Sequence, residues 1–321
     1  MTTLDSIKKS IAADLTRLNE LIHSRLSSDN PLMSEIIESF LNSSGKQIRP
    51  IIVMLCARMA GEISEKVLDS AASVELLHNA SLIHDDVIDE SKLRRNKPTI
   101  NAVWDNHIAV LVGDYFVSSA LQLAINTGDL RIIEEISQLG RKLSLGELDQ
   151  IYNAREHSLT EDAYFKIIGF KTASLFVACA RVGCYASGAS HELTESLSKI
   201  AELLGLCFQI RDDIFDYFPS DDIGKPSGND LREGKITLPL LHVLLDGDAP
   251  NHDEMVSVSC KEEFDTEDVD VLYSYARENG GIDYAYDVMH SLRDKAALIA
   301  ETLPRPTELM PLFDYIIQRK F

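Results

Sequence analysis

The chain has 321 residues, 45% of them hydrophobic, and a formal charge of −20. That is enough apolar material for a sizeable core, as one large domain or two smaller ones. The acidity excludes nucleic acid as a partner, because phosphate backbones need a basic face and no long basic run exists; an anionic substrate can bind only where local cations or metal ions reverse the field.

From the N-terminus, "MTTLDSIKKSIAADLTRLNE" has the pattern of a charged amphipathic helix and lacks the apolar core of a signal peptide. No run of about 18 apolar residues is evident, so no membrane span is expected. Cys56, Cys179, Cys184, Cys207 and Cys260 show no CxxC spacing and read as reduced core residues of a cytoplasmic protein. Proline is absent between Pro50 and Pro98 and again between Pro98 and Pro219. Both gaps carry helical apolar spacing, as at Val74, Leu77 and Ser81 or at Leu203, Leu206 and Ile210. Turn-rich breaks fall at 27–31, 126–129, 187–192, 218–230 and 246–253. "KEEFDTEDVDV" at 261–271 reads as a solvated helix start. Alternating β-branched segments are scarce. These patterns predict an all-α protein of roughly ten or more helices, in a single domain over residues 1–321.

Two stretches share one spacing: "DDVID" at 85–89 and "DDIFD" at 212–216. With 28 aspartates in 321 residues, one such match arises in roughly a fifth of shuffled sequences and two in about 2%. On a helix, positions i and i+4 share a face and i+1 lies about 100° round. Asp85 and Asp89 therefore project together with Asp86 to one side, and Asp212, Asp216 and Asp213 repeat the arrangement. The intervening residues are apolar, so both helices are expected to be packed, and carboxylates at a packed edge need counter-charge. Oxygen-only clusters suit hard divalent cations, Mg²⁺ above all, which complete their shells with water and substrate phosphate.

Arg94 and Arg95 follow the first cluster, by an expected one to two helical turns. Lys46 and Arg49 lie near a helix start, where backbone N–H groups favour anions. Lys171 sits in an otherwise apolar segment, and Lys225 and Lys235 lie in a Gly-rich loop after the second cluster. In a chain short of positive charge, these cations flank both acidic clusters.

Together "GKQIRP", "HNASLIHDDVIDESKLRRNKPTIN", "GDYFVSSA", "KTASLF", "FQIRDDIFDY" and "GKPSGNDLREGKITLPLL" span residues 45–241 and resemble the motifs of the trans-isoprenyl diphosphate synthases, in the family's order. The resemblance implies a barrel of antiparallel helices around a central cavity, usually a homodimer. It implies two facing aspartate-rich helices that bind up to three Mg²⁺, which grip the diphosphate of an allylic primer. Asp85, Asp86, Asp89 and Asp212 are then metal ligands, with Asp213 and Asp216 in support. Arg94, Lys171, Thr172, Gln209, Lys225 and Lys235 take the primer diphosphate, Lys171 and Lys235 as part of the catalytic set. Lys46, Arg49, His78 and Arg95 take isopentenyl diphosphate. The family assigns the final proton to the released pyrophosphate.

Ala80 and Ser81 lie about 6 to 7 Å before Asp85 along the helix axis, where short-chain members carry bulky aromatics. With Leu77 next in line, this predicts an open tunnel and a long product, roughly C30 to C50 and most often C35 to C40. So apolar a product implies slow release, aided by transient membrane contact. Arg319 and Lys320 offer a basic lid or a frayed tail. The alternatives are a short-chain farnesyl or geranylgeranyl synthase and a non-catalytic partner subunit. A class I terpene cyclase would carry a different second metal motif. A di-iron bundle would use Glu20–His23 and Glu75–His78 but has no need of two DDxxD clusters.

Overall fold

The computed structural model describes residues 3–41, 45–94, 97–156, 160–218, 228–261 and 263–319, with side chains to 152 in the helix that ends at Glu156. Arg95 and Lys225 fall outside this set. Contacts group the chain into two compact units. The first is Met1–Arg141, Leu175–Ala201 and Ile299–Pro311; the second is Lys142–Ser174, Glu202–Leu298 and Leu312–Phe321.

The first unit opens with α1 (Thr3–Ser10) and α2 (Ala12–Leu26), which bury Leu15, Leu18, Ile22 and Leu26 at three- and four-residue spacing. α3 (Pro31–Leu41) starts on a proline, whose missing N–H costs nothing in a first turn. α4 (Ile48–Ala60) is apolar on nearly every side and is correspondingly buried. α5 (Glu65–Ile88) is capped by Ser64, whose hydroxyl accepts from Val67 N–H. After α6 (Ile100–Val103), α7 (Asn106–Asn126) packs extensively along α5. Small residues allow that approach: Ser73 Oγ donates to Ala120 O at 2.7 Å, and a side chain at Gly113 would strike the ring of His84.

α8 (Leu130–Glu156) begins in the first unit and continues into the second. There follow α9 (Glu161–Ile168), a five-residue π-helical turn (Gly169–Ala173), α10 (Ser174–Ser187) and α11 (His191–Asp216). In the first unit α10 crosses α4 so closely that a Cβ at Gly183 would lie 2.4 Å from Val53 O.

The second unit ends with α12 (Asn229–Arg232), α13 (Leu238–Leu245), α14 (His252–Ser259), α15 (Thr266–Glu278), α16 (Gly281–Ala300) and α17 (Met310–Gln318). Its core joins Leu231, Leu240, Val243 and Leu272 to a stacked Tyr217–Tyr273 pair, ring centroids 4.1 Å apart. Tyr217 OH accepts from Leu240 N–H at 3.1 Å, which ties the end of α11 to the start of α13.

The all-α expectation holds: among the described residues the strands are a two-residue antiparallel hairpin, Leu93–Arg94 with Lys97–Pro98. The breaks at 27–31, 126–129, 187–192 and 246–253 separate helices as expected. Four readings need correction. Arg94 lies in the hairpin, not one to two helical turns on. Cys260 is exposed, while the other four cysteines are buried free thiols. Two stretches, Asn106–Asn126 and Glu161–Ser187, are long and apolar enough to cross a membrane by length and composition. Packing explains much of that apolarity, since the first lies against α5 and the second is 67% buried. The acidic start of α15 is less solvated than expected: Asp265 and Asp268 form a reciprocal capping box, and Asp268 is buried and paired with Lys261.

Candidate active site

Both aspartate motifs stand at the C-terminal end of their helix. Asp85 and Asp86 occupy the last turn of α5, and Asp89 is its C-cap, donating its N–H to Asp85 O at 2.8 Å. Asp216 is the last residue of α11. A helix C-terminus carries about half a negative charge, and neither last turn holds a basic residue. Each motif therefore needs cations brought from elsewhere in the chain.

In the first unit Arg94 answers the first motif. Its Nε donates to Asp86 Oδ1 and Oδ2 at 2.9 and 3.0 Å, and its Nη2 lies 2.8 Å from Oδ1. Side chains fold the segment back to make this contact. Asn101 Nδ2 donates to Asp86 O at 3.0 Å and Ser91 O at 3.1 Å, and Thr99 Oγ1 donates to Ser91 O at 2.8 Å. Asp86 is buried, Asp85 half-buried and Asp89 exposed.

In the second unit the three carboxylates divide by environment. Asp213 is 3% exposed and accepts from Tyr164 OH at 2.6 Å and Gln209 Nε2 at 2.7 Å. Burial pushes its carboxyl well above the usual range, and the neighbouring Asp212 and Asp216 push the same way; the two hydrogen bonds pull it back. Asp216 accepts from the backbone N–H groups of Asn229 and Asp230 at 3.2 and 3.1 Å and from Tyr273 OH at 2.5 Å. Burial likewise raises Asp230, with Asp213 and Asp216 adding to it. Asp212 keeps a side chain 41% exposed and pairs with Arg319. Arg319 is buried rather than frayed, and Lys320 lies outside the described residues.

The π-helical turn carries Lys171 and Thr172, and such turns concentrate at functional sites. Lys171 Nζ lies 2.5 Å from Glu147 Oε2 and donates to Gln150 Oε1 at 3.2 Å. A Cβ at Gly146 would come within 3.1 Å of Lys171 N, so glycine permits this approach of α8. Thr172 Oγ1 donates to Gln209 Oε1 at 2.6 Å. Thr172, Gln209, Asp213 and Tyr164 thus form one hydrogen-bonded chain from the lysine turn to the second motif. Lys235 N–H donates to Asp230 O at 2.8 Å and its ammonium pairs with Glu233. A cavity of about 260 Å³ adjoins Lys171, Thr172, Gln209, Asp213 and Lys235, with Ile167, Ile236 and Leu241 as apolar walls.

Lys46 is exposed and Arg49 half-buried at the start of α4, and His78 is buried on α5; α4 and α5 pack together. Leu77 is buried and Ala80 has no accessible surface, whereas Ser81 is half-buried and donates to His78 O at 2.9 Å. Sequence reasoning gave no role to Tyr164, Tyr273, Asn101, Glu147 or Gln150, because their partners lie far along the chain or on the backbone. Asp230 lies in the Gly-rich stretch between Gly228 and Gly234, both of which take positive φ.

Each motif, taken in its own unit, fits a hard divalent ion: each is oxygen-only, with Asp85 and Asp89 in the first unit and Asp212 in the second keeping accessible surface. Among the described residues no three acidic, histidine or cysteine side chains form a ready-made cage. An ion here would complete its shell with water and phosphate oxygen, as Mg²⁺ does.

A family model described as polyprenyl synthetase matches residues 30–276. The chain is 33% identical over 302 residues to the octaprenyl diphosphate synthase of Escherichia coli strain K12, covering 94% of this chain and 93% of that one. It is similar to the crystal structure of a polyprenyl synthase from Caulobacter crescentus CB15 complexed with calcium and isoprenyl diphosphate, with a TM-score of 0.91 at 31% identity and coverage of 99% and 98%. It is also similar to a geranylgeranyl pyrophosphate synthase from Bacteroides thetaiotaomicron, with a TM-score of 0.84 at 35% identity and coverage of 99% for both chains.

Proposed function

The chain belongs to the polyprenyl synthetase family, and on that footing we propose that it joins isopentenyl diphosphate head to tail onto an allylic diphosphate. Repetition builds a long all-trans polyprenyl diphosphate, roughly C30 to C50 and most often C35 to C40. The observation that carries this reading is the pair of DDxxD motifs, each at a helix C-terminus and each answered by an arginine from another part of the chain. The full-length similarity to an octaprenyl synthase supports the long product.

Asp85, Asp86, Asp89 and Asp212 would hold up to three Mg²⁺, with Asp213 and Asp216 in support. Such ions would supply charge neutralisation on the departing diphosphate as the allylic C–O bond ionises. Arg94, Lys171, Thr172, Gln209, Lys225 and Lys235 orient that diphosphate. The Thr172–Gln209–Asp213 chain links its lysine turn to the second motif. Lys46, Arg49, His78 and Arg95 hold isopentenyl diphosphate so that its double bond attacks the allylic carbon, and the resulting cation gives up a proton to the released pyrophosphate. Apolar walls exclude water, which would otherwise trap the cation as an alcohol.

The active form is a homodimer. An apolar stripe on α7 supports this, with Val110, Leu111, Leu121 and Ile125 all exposed. The four buried free thiols accord with a cytoplasmic setting, and product release draws on brief membrane contact.

The test is incubation of the purified chain with Mg²⁺, farnesyl diphosphate and labelled isopentenyl diphosphate, followed by sizing of the products. Stepwise elongation to long chains is expected. Arrest after a single addition would replace this reading with a short-chain synthase. No elongation by the chain alone, restored by a second protein, would make it a partner subunit.

A further inference from the structure

α17 is followed by Arg319, whose N–H closes the final turn on Tyr315 O at 2.9 Å. Its side chain is 7% exposed, an uncommon burial for arginine unless it is paired. Nη2 pairs with the Asp212 carboxylate. The guanidinium lies 4.5 Å from the ring centre of Phe208 and 5.1 Å from that of Phe215. The Arg319 carbonyl accepts from Arg211 Nη2 at 2.6 Å. Arg211 in turn stacks over Phe215 and Tyr286 at 4.4 and 5.1 Å and hydrogen-bonds Tyr286 OH. Phe215, inside the second motif, therefore contacts two guanidinium groups. All these residues belong to the second unit.

This seat is specific. The tail is fixed at once through backbone, aromatic faces and an ion pair, and the ion pair falls on Asp212, whose side chain is 41% exposed. Asp212 stands at the negative end of α11 beside two further carboxylates, where an uncompensated charge is costly. We propose that Arg319 is a built-in counter-cation for Asp212, and that the docked C-terminal tail and a divalent metal ion compete for that carboxylate. A guanidinium and a dication at contact distance on the same oxygens repel strongly. Loading of metal with a diphosphate therefore releases the tail, and by linkage the docked tail weakens metal loading by the same factor. The proposal rests on Asp212 being a metal ligand.

The experiment compares the full-length chain with its Arg319→Met, Arg319→Lys and Asp212→Asn variants. Free Mn²⁺ is counted by electron paramagnetic resonance during titration in the presence of inorganic pyrophosphate. Hydrogen exchange over residues 312–319 is followed with and without Mg²⁺ and pyrophosphate. Arg319→Met should bind Mn²⁺ roughly five- to tenfold more tightly than the parent, with Arg319→Lys between them, and Asp212→Asn should lose an ion. Tail exchange in the parent should accelerate when Mg²⁺ and pyrophosphate are added together. Unchanged or weaker Mn²⁺ binding in Arg319→Met, or a tail equally protected with metal present, would overturn the competition while leaving Asp212 a ligand. Should Arg319→Met not fold, Arg319→Lys and the parent's exchange data decide alone. If Asp212→Asn binds as many ions as the parent, the ligand assignment fails and the competition falls with it.

Discussion

Asp213 is held by neighbours rather than by charge. It sits almost out of water, with Tyr164 OH and Gln209 Nε2 on its two oxygens. Gln209 also receives Thr172 Oγ1, so one amide serves both the lysine turn and the second motif. Removing such support behind a metal ligand costs about 10- to 100-fold in activity or affinity, and the second motif is proposed as a metal site. Gln209→Ala should therefore lower kcat by that order while circular dichroism stays that of a folded chain. A kcat within twofold of the parent would remove Gln209 from the positioning chain. At Ala80 the consequence is one of product size. Its burial means that Ala80→Tyr must push into packed space, which costs about 1–3 kcal/mol. The variant should shift products to about C15 or C20, read by chromatography beside a melting curve that shows it still folds. An unchanged product distribution in a folded variant would take Ala80 out of chain-length control.

The helices themselves were largely legible. Pro31, Ser64 and the turn clusters mark ends through local chemistry, and local chemistry is what a sequence displays. The hairpin was not legible, because it depends on Thr99 and Asn101 reaching back to Ser91 and Asp86, a tertiary bargain with no period of its own. Nor was the π-helical turn, since nothing in "GFKTASLF" requires it; the partner that accommodates it is Gly146 on α8. One junction carries a pH signature. Asp129 caps the start of α8 at Arg131 N–H, takes Arg131 on both oxygens and pairs with Lys66 of α5 at 2.8 Å. The Arg131 hydrogen bonds, then Lys66, hold its carboxyl well below the usual range. Its contribution to stability is thus complete above the unfolded pKa of about 4 and is lost as pH falls towards the folded value. Asp129→Asn should cost about 1–2 kcal/mol at pH 7, and the gap to the parent should close in acid, as urea midpoints at several pH values will report. At the α4–α10 crossing, Gly183→Ala must move a Cβ away from Val53 O. A loss of about 1–3 kcal/mol is expected, measured as a lower denaturation midpoint with unchanged slope.

At the scale of the whole molecule, the chemistry could be read before the architecture. Two repeated acidic clusters in a chain of net charge −20 demanded cations, and the cations stood out because they were few. Which cation meets which carboxylate could not be read. Arg94 reaches Asp86 from eight residues away and Arg319 reaches Asp212 from 107, and no spacing rule connects the second pair. Assembly belongs to this scale too. The exposed apolar stripe of α7 should be covered by a second copy, so Leu111→Glu combined with Leu121→Glu should halve the sedimenting mass. Persistence of the dimer in that variant would move the interface elsewhere.

Placing both carboxylate sets at the electronegative pole of a helix has a consequence for how the enzyme clears itself. A bare by-product anion meets repulsion from those carboxylates, which the nearby cations only partly offset, whereas the same anion wrapped in divalent ions would find a match. Inhibition by pyrophosphate should accordingly fade as the ions are stripped away, so that a brief wash with chelator frees a stalled preparation of its own waste.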